Sequence, residues 1–362
     1  MKPNGANERL KRAYVRYLRN ASRKSESSID QALDAIERFE MYTRRRDFRN
    51  FRNEQATAFK DYLARQLNAR TKQPLSPGTQ LHTLSALRAF FTWLADQPTY
   101  RRRIRHTDAH YFNMPFKDAA TARVSSAMEG PSVEQVRHVV QRMPTGTDVE
   151  QRDRALVAFA LVSGARDGAL ASLKLKHVDL KDRLVRQDPR EVHTKASKLI
   201  ETWFFPVGGD FLSVVEQWVE FLTRERQWGL DDPLFPRTKV VVGLNRRFEA
   251  AGLERACWRN ATPIRAVFRK AFTAADLPYF NPHSLRKTLA RLGQQRCETP
   301  EKFKAWSQNL GHEKMLTTFM SYGKVDRMRQ REIVTSMWNP EPTKDRDLAA
   351  MLRELIAQGR AS

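Results

Sequence analysis

Apolar residues recur at every third or fourth position through roughly the first 115 residues, which is the spacing of amphipathic helices. The clearest helix begins at Ser76-Pro77, where a serine can cap the first turn and a proline suits the first helical position. Its apolar stripe, which predicts a packed face, consists of Leu81, Leu84, Leu87, Phe90, Phe91 and Leu94. Further helices are predicted over 7–18, 28–42 and 54–67. The first part of the chain is therefore predicted to be entirely helical.

The pattern changes after residue 116. Residues 117–131 are small and polar and predict a linker, after which Ser132 and Gln135 form the capping-box pair of a new helix. An apolar helix over 153–163 follows, and then the short runs LVRQ and TWFFPV predict a small antiparallel β-sheet. Helices are predicted again over 211–224, 262–274, 284–295 and 301–309. We expect a mainly α fold with a small antiparallel sheet, divided into a helical domain (1–116), a linker (117–131), a mixed α and β domain (132–338) and a tail (339–362).

The tail contains one more amphipathic pattern, over 344–358. Its apolar positions follow the i, i+3, i+4, i+7, i+8 spacing of a helix with one packed face. They are Leu348, Met351, Leu352, Leu355 and Ile356. Such a helix can pack on its own domain or on another copy of the chain, and the pattern does not choose between the two.

The charge of the chain points to a polyanionic partner. The 362 residues carry 64 Lys and Arg against 41 Asp and Glu, a formal charge of +23, of which +12 lies in residues 1–130. Both halves are therefore expected to face the same polyanion, as the two sides of a clamp. No apolar run reaches the ~18 residues that span a bilayer, and the N-terminus lacks the apolar core of a secretory signal. Only two cysteines occur, Cys257 and Cys297, which fits a reducing compartment. Together, the charge, the missing apolar runs and the few cysteines lead us to expect a soluble, cytoplasmic nucleic-acid-binding protein without membrane association.

Arginines that follow two of the predicted helices are candidates for phosphate contacts. Basic clusters at helix ends can bind phosphates, although such runs are more often solvated surface. The predicted DNA-binding residues are Arg44, Arg45 and Arg46 after one helix, Arg101, Arg102 and Arg103 after another, and Arg88 within the helix that begins at Ser76-Pro77.

Motifs for common cofactors are missing from the sequence. There is no Walker A motif, no G-x-G-x-x-G after a strand and no H-E-x-x-H, and the histidines and cysteines form no zinc-ligand pairs. We therefore predict no cofactor and no metal. Phosphodiester chemistry would then need cationic side chains around the phosphate and a nucleophile from the protein or an activated water.

Three stretches contain such residues. SGAR ends at Arg166, where a charge at a buried helix joint requires a partner or an anion. In NPHSLRKTLARLG, His283 and Arg286 share one face of a first helical turn, where backbone N–H groups favour an anion. In WSQNLGHEKMLTTFMSYGKV, His312 is followed ten residues later by Tyr322, a tyrosine that needs nearby cations to become a nucleophile. Each stretch alone also fits an ordinary structural role, as a salt bridge, a capping histidine or a packed tyrosine.

The order of these residues resembles the tyrosine recombinase (phage integrase) family. The stretch LSPGTQLHTLSALRAFFTWL, residues 75–94, looks like the characteristic helix of that family's N-terminal core-binding domain. The resemblance covers roughly residues 8–336 and implies a helical, SAM-like core-binding domain followed by an α+β catalytic domain. It also implies a β-hairpin lysine, for which Lys195 is the better match. The implied catalytic residues are Arg166, Lys195, His283, Arg286, His312 and Tyr322, with Lys198 as the alternative lysine.

The family's chemistry gives each of these residues an expected role. Tyr322 would attack a DNA phosphorus to form a 3′-phosphotyrosyl bond, while Arg166 and Arg286 bind the non-bridging oxygens. The lysine would protonate the departing 5′-oxygen, His283 would handle the tyrosine proton and His312 would hydrogen-bond the phosphate.

Two positions depart from the family pattern. Ala169 stands where the family usually has an acidic residue, so either Asp167 orients Arg166 instead or that support is absent. The span from His312 to Tyr322 is one residue longer than is common in the family.

The resemblance further implies double-stranded DNA with specific sites, a homotetramer, strand exchange through a Holliday junction and, as an open option, accessory DNA-bending proteins. Integration, excision, inversion and dimer resolution remain open. Two other functions are alternatives: a type IB topoisomerase-like enzyme that relaxes supercoils, and a DNA-binding regulator with a non-catalytic recombinase fold. An enzyme of mobile DNA acting at the nucleoid of a prokaryotic cytoplasm is the leading hypothesis.

Overall fold

The computed structural model describes residues 2–68, 72–123, 130–194, 198–243 and 246–311, together with Met328 and Arg331. The chain divides into two compact units, Met1–Ser126 and Ala127–Ser362. This boundary falls inside the segment 117–131. A helix occupies the beginning of that segment, so what the sequence predicts as a linker is helical in part.

The first unit is built from helices throughout its described residues. Two short helices, α5 and α6, are not among the helices predicted from the sequence, and α6 overlaps the predicted linker. A 3₁₀ turn lies at Phe48–Asn50. The helices are α1 (Gly5–Asn20), α2 (Glu26–Tyr42), α3 (Asn53–Ala64), α4 (Pro77–Ala95), α5 (His106–Ala109) and α6 (Phe116–Arg123).

The core of this unit is aromatic. Phe39 of α2 lies at its centre and meets Phe59 and Phe112 edge to face, with ring centroids 5.2 and 5.3 Å apart. Helix α4 begins as predicted, with the Ser76 hydroxyl accepting a hydrogen bond from the backbone N–H of Thr79 at 3.2 Å. The predicted stripe of α4 faces this core and, apart from the half-buried Leu81, is buried. Burial of that stripe is what holds α4 against α2.

The second unit combines seven helices with two small sheets among its described residues. A 3₁₀ turn at Leu175–His177 and a π-turn at Phe221–Glu225 complete it. In chain order the elements are α7 (Val133–Arg142), α8 (Asp148–Ser163), α9 (Asp167–Leu170), β1 (Val178–Asp179), β2 (Leu184–Gln187), β3 (Ile200–Trp203), α10 (Gly209–Glu220), β4 (Arg237–Val242), β5 (Phe248–Glu254), α11 (Thr262–Ala274), α12 (Pro282–Arg296) and α13 (Pro300–Asn309).

Helix α8 is the central element of the second unit. Every residue from 155 to 163 is buried, and α7, α10 and α12 pack around it. A helix that is apolar on all sides has to lie inside a core. The helix ends at Gly164, which adopts a left-handed conformation with φ of 59°. The C-terminal end of α8 is thereby held rigidly by the core.

The predicted antiparallel sheet is confirmed in the order β1-β2-β3, with Val185 opposite Thr202. A second sheet, the β4–β5 hairpin, is not predicted by the sequence pattern. Val240, Val241 and Val242 are apolar at successive positions, so the alternation that signals a half-buried strand is missing. Within the described part of the chain, no helix is both long and apolar enough to cross a lipid bilayer.

Candidate active site

Arg166 lies at the joint between α8 and α9. It follows the Gly164 turn and occupies the N-cap position of α9 with extended backbone angles. Its side chain is half-buried, and this burial lowers the pKa of the guanidinium from its usual range. Among the described residues, no carboxylate or hydrogen-bond acceptor contacts that guanidinium. A half-buried charge without a partner is costly, which suits a group that receives an anionic ligand.

Asp167 does not orient Arg166. Its Oδ2 accepts hydrogen bonds from Arg265 of α11, at 2.8 Å from Nε and 2.7 Å from Nη2. Its Oδ1 accepts from the backbone N–H of Gly168 at 2.9 Å. The sequence leaves two options open, that Asp167 orients Arg166 or that this support is absent. Among the described residues, the Asp167 carboxylate does not support Arg166.

Helix α12 presents the second group of candidate residues. Asn281 caps it, its Oδ1 accepting from the backbone N–H of Ser284 at 3.1 Å, and Pro282 takes the first helical position. His283 therefore lies in the first turn and reaches the surface, whereas Arg286, one turn later, is only 6% exposed. Although both residues are predicted on one helix face, His283 is exposed and Arg286 is buried.

Arg286 is held by two backbone carbonyls. Its Nη1 donates to the carbonyl of Gly164 at 2.5 Å, and its Nη2 donates to the carbonyl of Leu310. Burial, and then the positive charge of Arg166, lower the pKa of Arg286 to about 9, so that it stays charged at neutral pH. This guanidinium fork ties α12 to the turn before Arg166 and to the end of α13.

The same cations act on His283. Partial burial of the ring, followed by the charges of Arg286, Arg166 and Lys287, lowers the pKa of His283 below its ordinary value of 6.5, and Asp167 opposes them only weakly. The imidazole is consequently neutral at pH 7. A neutral imidazole among cations can accept a proton, which is the state that a general base requires.

The end of α13 is fastened to strand β3 by Asn309. The Asn309 side chain accepts from the backbone N–H of Trp203 at 2.8 Å and donates to the Trp203 carbonyl at 2.8 Å. The hydroxyl of Thr202 donates to the Asn309 carbonyl at 3.1 Å. Strand β3 begins two residues after Lys198, so this contact links the segment that follows the alternative lysine to the turn at Leu310 and Gly311.

Several predicted residues cannot be placed. Lys195, His312, Tyr322 and the tail helix over 344–358 lie outside the described residues. Lys198, the alternative lysine, is described and is half-buried between β2 and β3. The structure therefore brings together Arg166, His283 and Arg286, the part of the predicted site that it describes.

The predicted DNA-binding arginines of the first unit are mostly exposed. Arg45 is the exception, since its side chain is largely buried and its Nη2 pairs with a Glu37 carboxylate oxygen at 2.5 Å. Arg88 lies on an exposed position of α4, after the buried Leu87 and before the exposed Ala89. The exposed members of the predicted set are Arg44, Arg46, Arg88, Arg101, Arg102 and Arg103.

Comparison with known families decides the affiliation of the chain. The phage integrase family model matches residues 132–329, and the model of the phage integrase N-terminal SAM-like domain matches residues 10–100. The chain belongs to the phage integrase family. Membership confirms the predicted resemblance to tyrosine recombinases, the enzymes that cut and rejoin DNA strands.

Relatives of this integrase-family chain are distant in sequence. The tyrosine recombinase XerC of Lactobacillus delbrueckii subsp. bulgaricus is 23% identical over 254 residues, which cover 68% of this chain and 72% of that protein. A lambda integrase dimer bound to a COC′ core site shares the fold with a TM-score of 0.56 at 14% identity, over 88% of this chain and 99% of that one. The XerH site-specific recombinase bound to a palindromic difH substrate has a TM-score of 0.56 at 16% identity, over 86% and 79% of the two chains. The predicted fold class is thus confirmed.

Two residues near the site carry no signal in the sequence. Arg265 lies on the exposed face of α11, where a charged residue is ordinary, and its contact with Asp167 spans 98 positions. Asn309 lies at the end of a predicted helix, where an asparagine is equally ordinary. Only the packed structure reveals that both contact elements of the site. Among the described residues, no group of three or more His, Cys, Asp and Glu is arranged to hold a metal ion.

Proposed function

We propose that this integrase-family enzyme is a site-specific recombinase that cuts and rejoins DNA through a 3′-phosphotyrosyl intermediate at Tyr322. The observation that carries the proposal is the half-buried guanidinium of Arg166, which has no partner among the described residues and lies near the buried Arg286 and the neutral His283. Two cations and a proton acceptor around one point match what a transferred phosphate requires. The proposal needs neither a metal nor ATP.

The phosphate would be bound by the cationic side chains. Arg166 and Arg286 would donate hydrogen bonds to the non-bridging oxygens, where negative charge grows as the phosphorus becomes five-coordinate. Arg286 is already oriented by its two carbonyl contacts, so little ordering is needed when DNA arrives. His312 is proposed as a further donor to the phosphate.

Two proton transfers would accompany the exchange at phosphorus. The Tyr322 oxygen forms a bond to phosphorus while the bond to the 5′-oxygen breaks, so that one phosphodiester replaces another and no energy source is required. His283, neutral at pH 7, would accept the tyrosine proton. Lys195, or Lys198 in its place, would give a proton to the departing 5′-oxygen. Rejoining follows the same path in reverse.

The rest of the chain would grip the duplex and its partners. We infer that the exposed arginines of the helical domain (1–116) bind phosphates, and that the catalytic domain (132–338) contributes the remainder of the +23 charge. The DNA-bound XerH and lambda integrase structures support a DNA partner, and the latter is a dimer. A homotetramer on two sites, exchange through a Holliday junction, docking by the tail (339–362) and work on mobile DNA at the nucleoid belong to this proposal.

Trapping of the covalent intermediate tests the proposal. The purified chain is mixed with a pool of nicked duplexes of randomised sequence, in which a short fragment diffuses away after cleavage and leaves any adduct trapped. We expect a protein–DNA species that survives denaturant for the wild-type chain and none for Tyr322→Phe, with unchanged DNA affinity.

The matched control is Tyr279→Phe. That tyrosine packs its ring against the guanidinium of Arg269 at 4.1 Å, a contact that phenylalanine preserves, so this variant should form the adduct normally. An adduct from Tyr322→Phe would refute the assignment of the nucleophile. Assays of two-site recombination and of supercoil relaxation on the recovered sequences then separate a recombinase from a topoisomerase-like enzyme.

A further inference from the structure

Asp167 is an acidic residue placed directly beside a cation of the proposed site. It follows Arg166 in the chain, and its carboxylate also acts on His283. Both of its oxygens are occupied elsewhere, by Arg265 and by the backbone N–H of Gly168. The contact with Arg265 joins α11 to the joint between α8 and α9, so it exists only in the folded chain.

Neighbouring arginine and aspartate residues do pair with each other elsewhere in this protein. On α8, Arg152 donates to Oδ1 of Asp153 from Nε at 2.9 Å and from Nη2 at 2.6 Å. Arg166 and Asp167 are also adjacent in sequence, and Arg166 has no acidic partner among the described residues. The two pairs differ in their backbone, because Arg152 and Asp153 lie within α8 whereas Arg166 is an extended N-cap residue. They differ also in that Arg265 already binds the Asp167 carboxylate.

We propose that Arg265 holds the Asp167 carboxylate away from Arg166 and so keeps the Arg166 guanidinium available for the DNA phosphate. Arg265 is in this sense a positioning residue that acts through Asp167 and does not touch the substrate. The inference rests on the proposed function, because it takes Arg166 to be a phosphate ligand.

The charges around the site explain why this contact matters. A carboxylate close to a half-buried guanidinium competes directly with a phosphate for the same N–H donors. The described groups that act on His283 are Arg286 and Lys287 from its own helix and Arg166 and Asp167 from the α8–α9 joint. Asp167 is the acid among these four, so releasing it would place a negative charge between the cations and raise the pKa of His283.

The pair adds little to the stability of the fold. The Arg265 side chain is 57% exposed, and exposed ion pairs contribute between zero and about 1 kcal/mol. A role in folding and a role in masking charge therefore predict different results when each partner is removed. If the pair is only a tether, removing either partner has the same effect. If it masks a charge, removing the arginine is harmful and removing the aspartate is not.

The test compares four full-length proteins: wild type, Arg265→Gln, Asp167→Asn and the double variant. The probe is the set of nicked duplexes that wild-type protein selects from the randomised pool, and the readout is the rate of adduct formation with enzyme in excess. The pKa of His283 in each free protein is measured in parallel by NMR titration, which requires no DNA. Thermal unfolding checks that all four are folded to the same extent.

We expect Arg265→Gln to form the adduct roughly tenfold more slowly and to have a raised His283 pKa. Asp167→Asn should stay within about threefold of wild type, and the double variant should match it because the harmful charge is gone. Equal loss from both single variants without rescue in the double variant would overturn the inference, as would a wild-type rate for Arg265→Gln. If wild type forms no adduct with any duplex, the proposed function fails instead, and the two failures are distinguishable.

Discussion

Replacing Gly164 by alanine is expected to destabilise the second unit and to displace Arg286 at the same time. Gly164 ends α8 with φ of 59°, and its carbonyl accepts the Nη1 hydrogen bond of Arg286. An added Cβ would lie 3.0 Å from Cδ1 of Leu289 and 3.2 Å from Cε2 of Phe205, which is closer than apolar atoms normally approach. The turn would have to shift, and its carbonyl would move with it.

The expected cost has two components. A left-handed conformation costs a residue with a side chain about 1–2 kcal/mol, and an extra methyl group in a filled core costs about 1–3 kcal/mol. Together they give roughly 2–5 kcal/mol, set against a typical unfolding free energy of about 5–15 kcal/mol. The variant should therefore still fold at room temperature, with a midpoint of thermal unfolding lower by roughly 5–15 °C.

Tryptophan fluorescence during urea unfolding measures the stability of the second unit, because six of the seven tryptophans follow the boundary at residue 127 and only Trp93 precedes it. Two alanine variants separate the components. At Gly252, φ is 97° and no atom lies within 4 Å of the added Cβ, so only backbone strain is tested. At Gly209 there is neither a positive φ nor a contact, and we expect a change below about 0.5 kcal/mol. A loss at Gly164 no larger than the loss at Gly252 would refute the packing argument.

Three further predictions concern charge. The acid limb of adduct formation should have its midpoint below the ordinary imidazole value of about 6.5, because burial and the neighbouring cations lower the pKa of His283. This limb should be absent from the residual activity of His283→Gln, and a midpoint at or above pH ~6.5 in the wild type would contradict the reasoning. Arg286→Lys keeps the positive charge, but a lysine cannot reach the carbonyls of both Gly164 and Leu310, so adduct formation should slow roughly a hundredfold at similar DNA affinity. A rate near that of wild type would show that the two-carbonyl contact of the guanidinium is dispensable. Lys11→Met removes the cation that pairs with the fully buried Glu40 carboxylate and should lower the free energy of unfolding in urea by about 3 kcal/mol. Adding Glu40→Gln to this variant should restore most of that free energy if the unpaired charge is the cause.

Much of the secondary structure could be predicted because its signals are local. Ser76-Pro77 and the Ser132–Gln135 capping box mark helix starts within a few residues, and the structure confirms both. The β4–β5 hairpin could not be predicted, because its strands do not alternate between apolar and polar positions. The helix at the start of the predicted linker does not follow from the pattern, because its residues, although alanine, lysine and arginine favour a helix, include no large apolar side chains at helical spacing after Phe116.

The sequence predicts residue types for the candidate site but not their contacts. Order and spacing single out Arg166, His283 and Arg286, and their catalytic roles stay a prediction. What each side chain touches depends on residues far along the chain. Arg286 reaches Gly164 across 122 positions, and Asn309 reaches Trp203 across 106. Such pairs leave no periodic signal, since either partner would be ordinary on its own helix or strand.

The sequence by itself determined that this protein is a basic, mainly helical enzyme of DNA recombination, because periodicity, charge and motif order are properties of the chain. Only the tertiary structure decided which of the charged side chains are held in ion pairs and which can receive a ligand. Asp167 is taken by Arg265 and Arg45 by Glu37, while Arg166 is left without a partner among the described residues. The physical reason is that the effect of a charge depends on its nearest neighbours and on its access to water, and both arise when distant segments pack together.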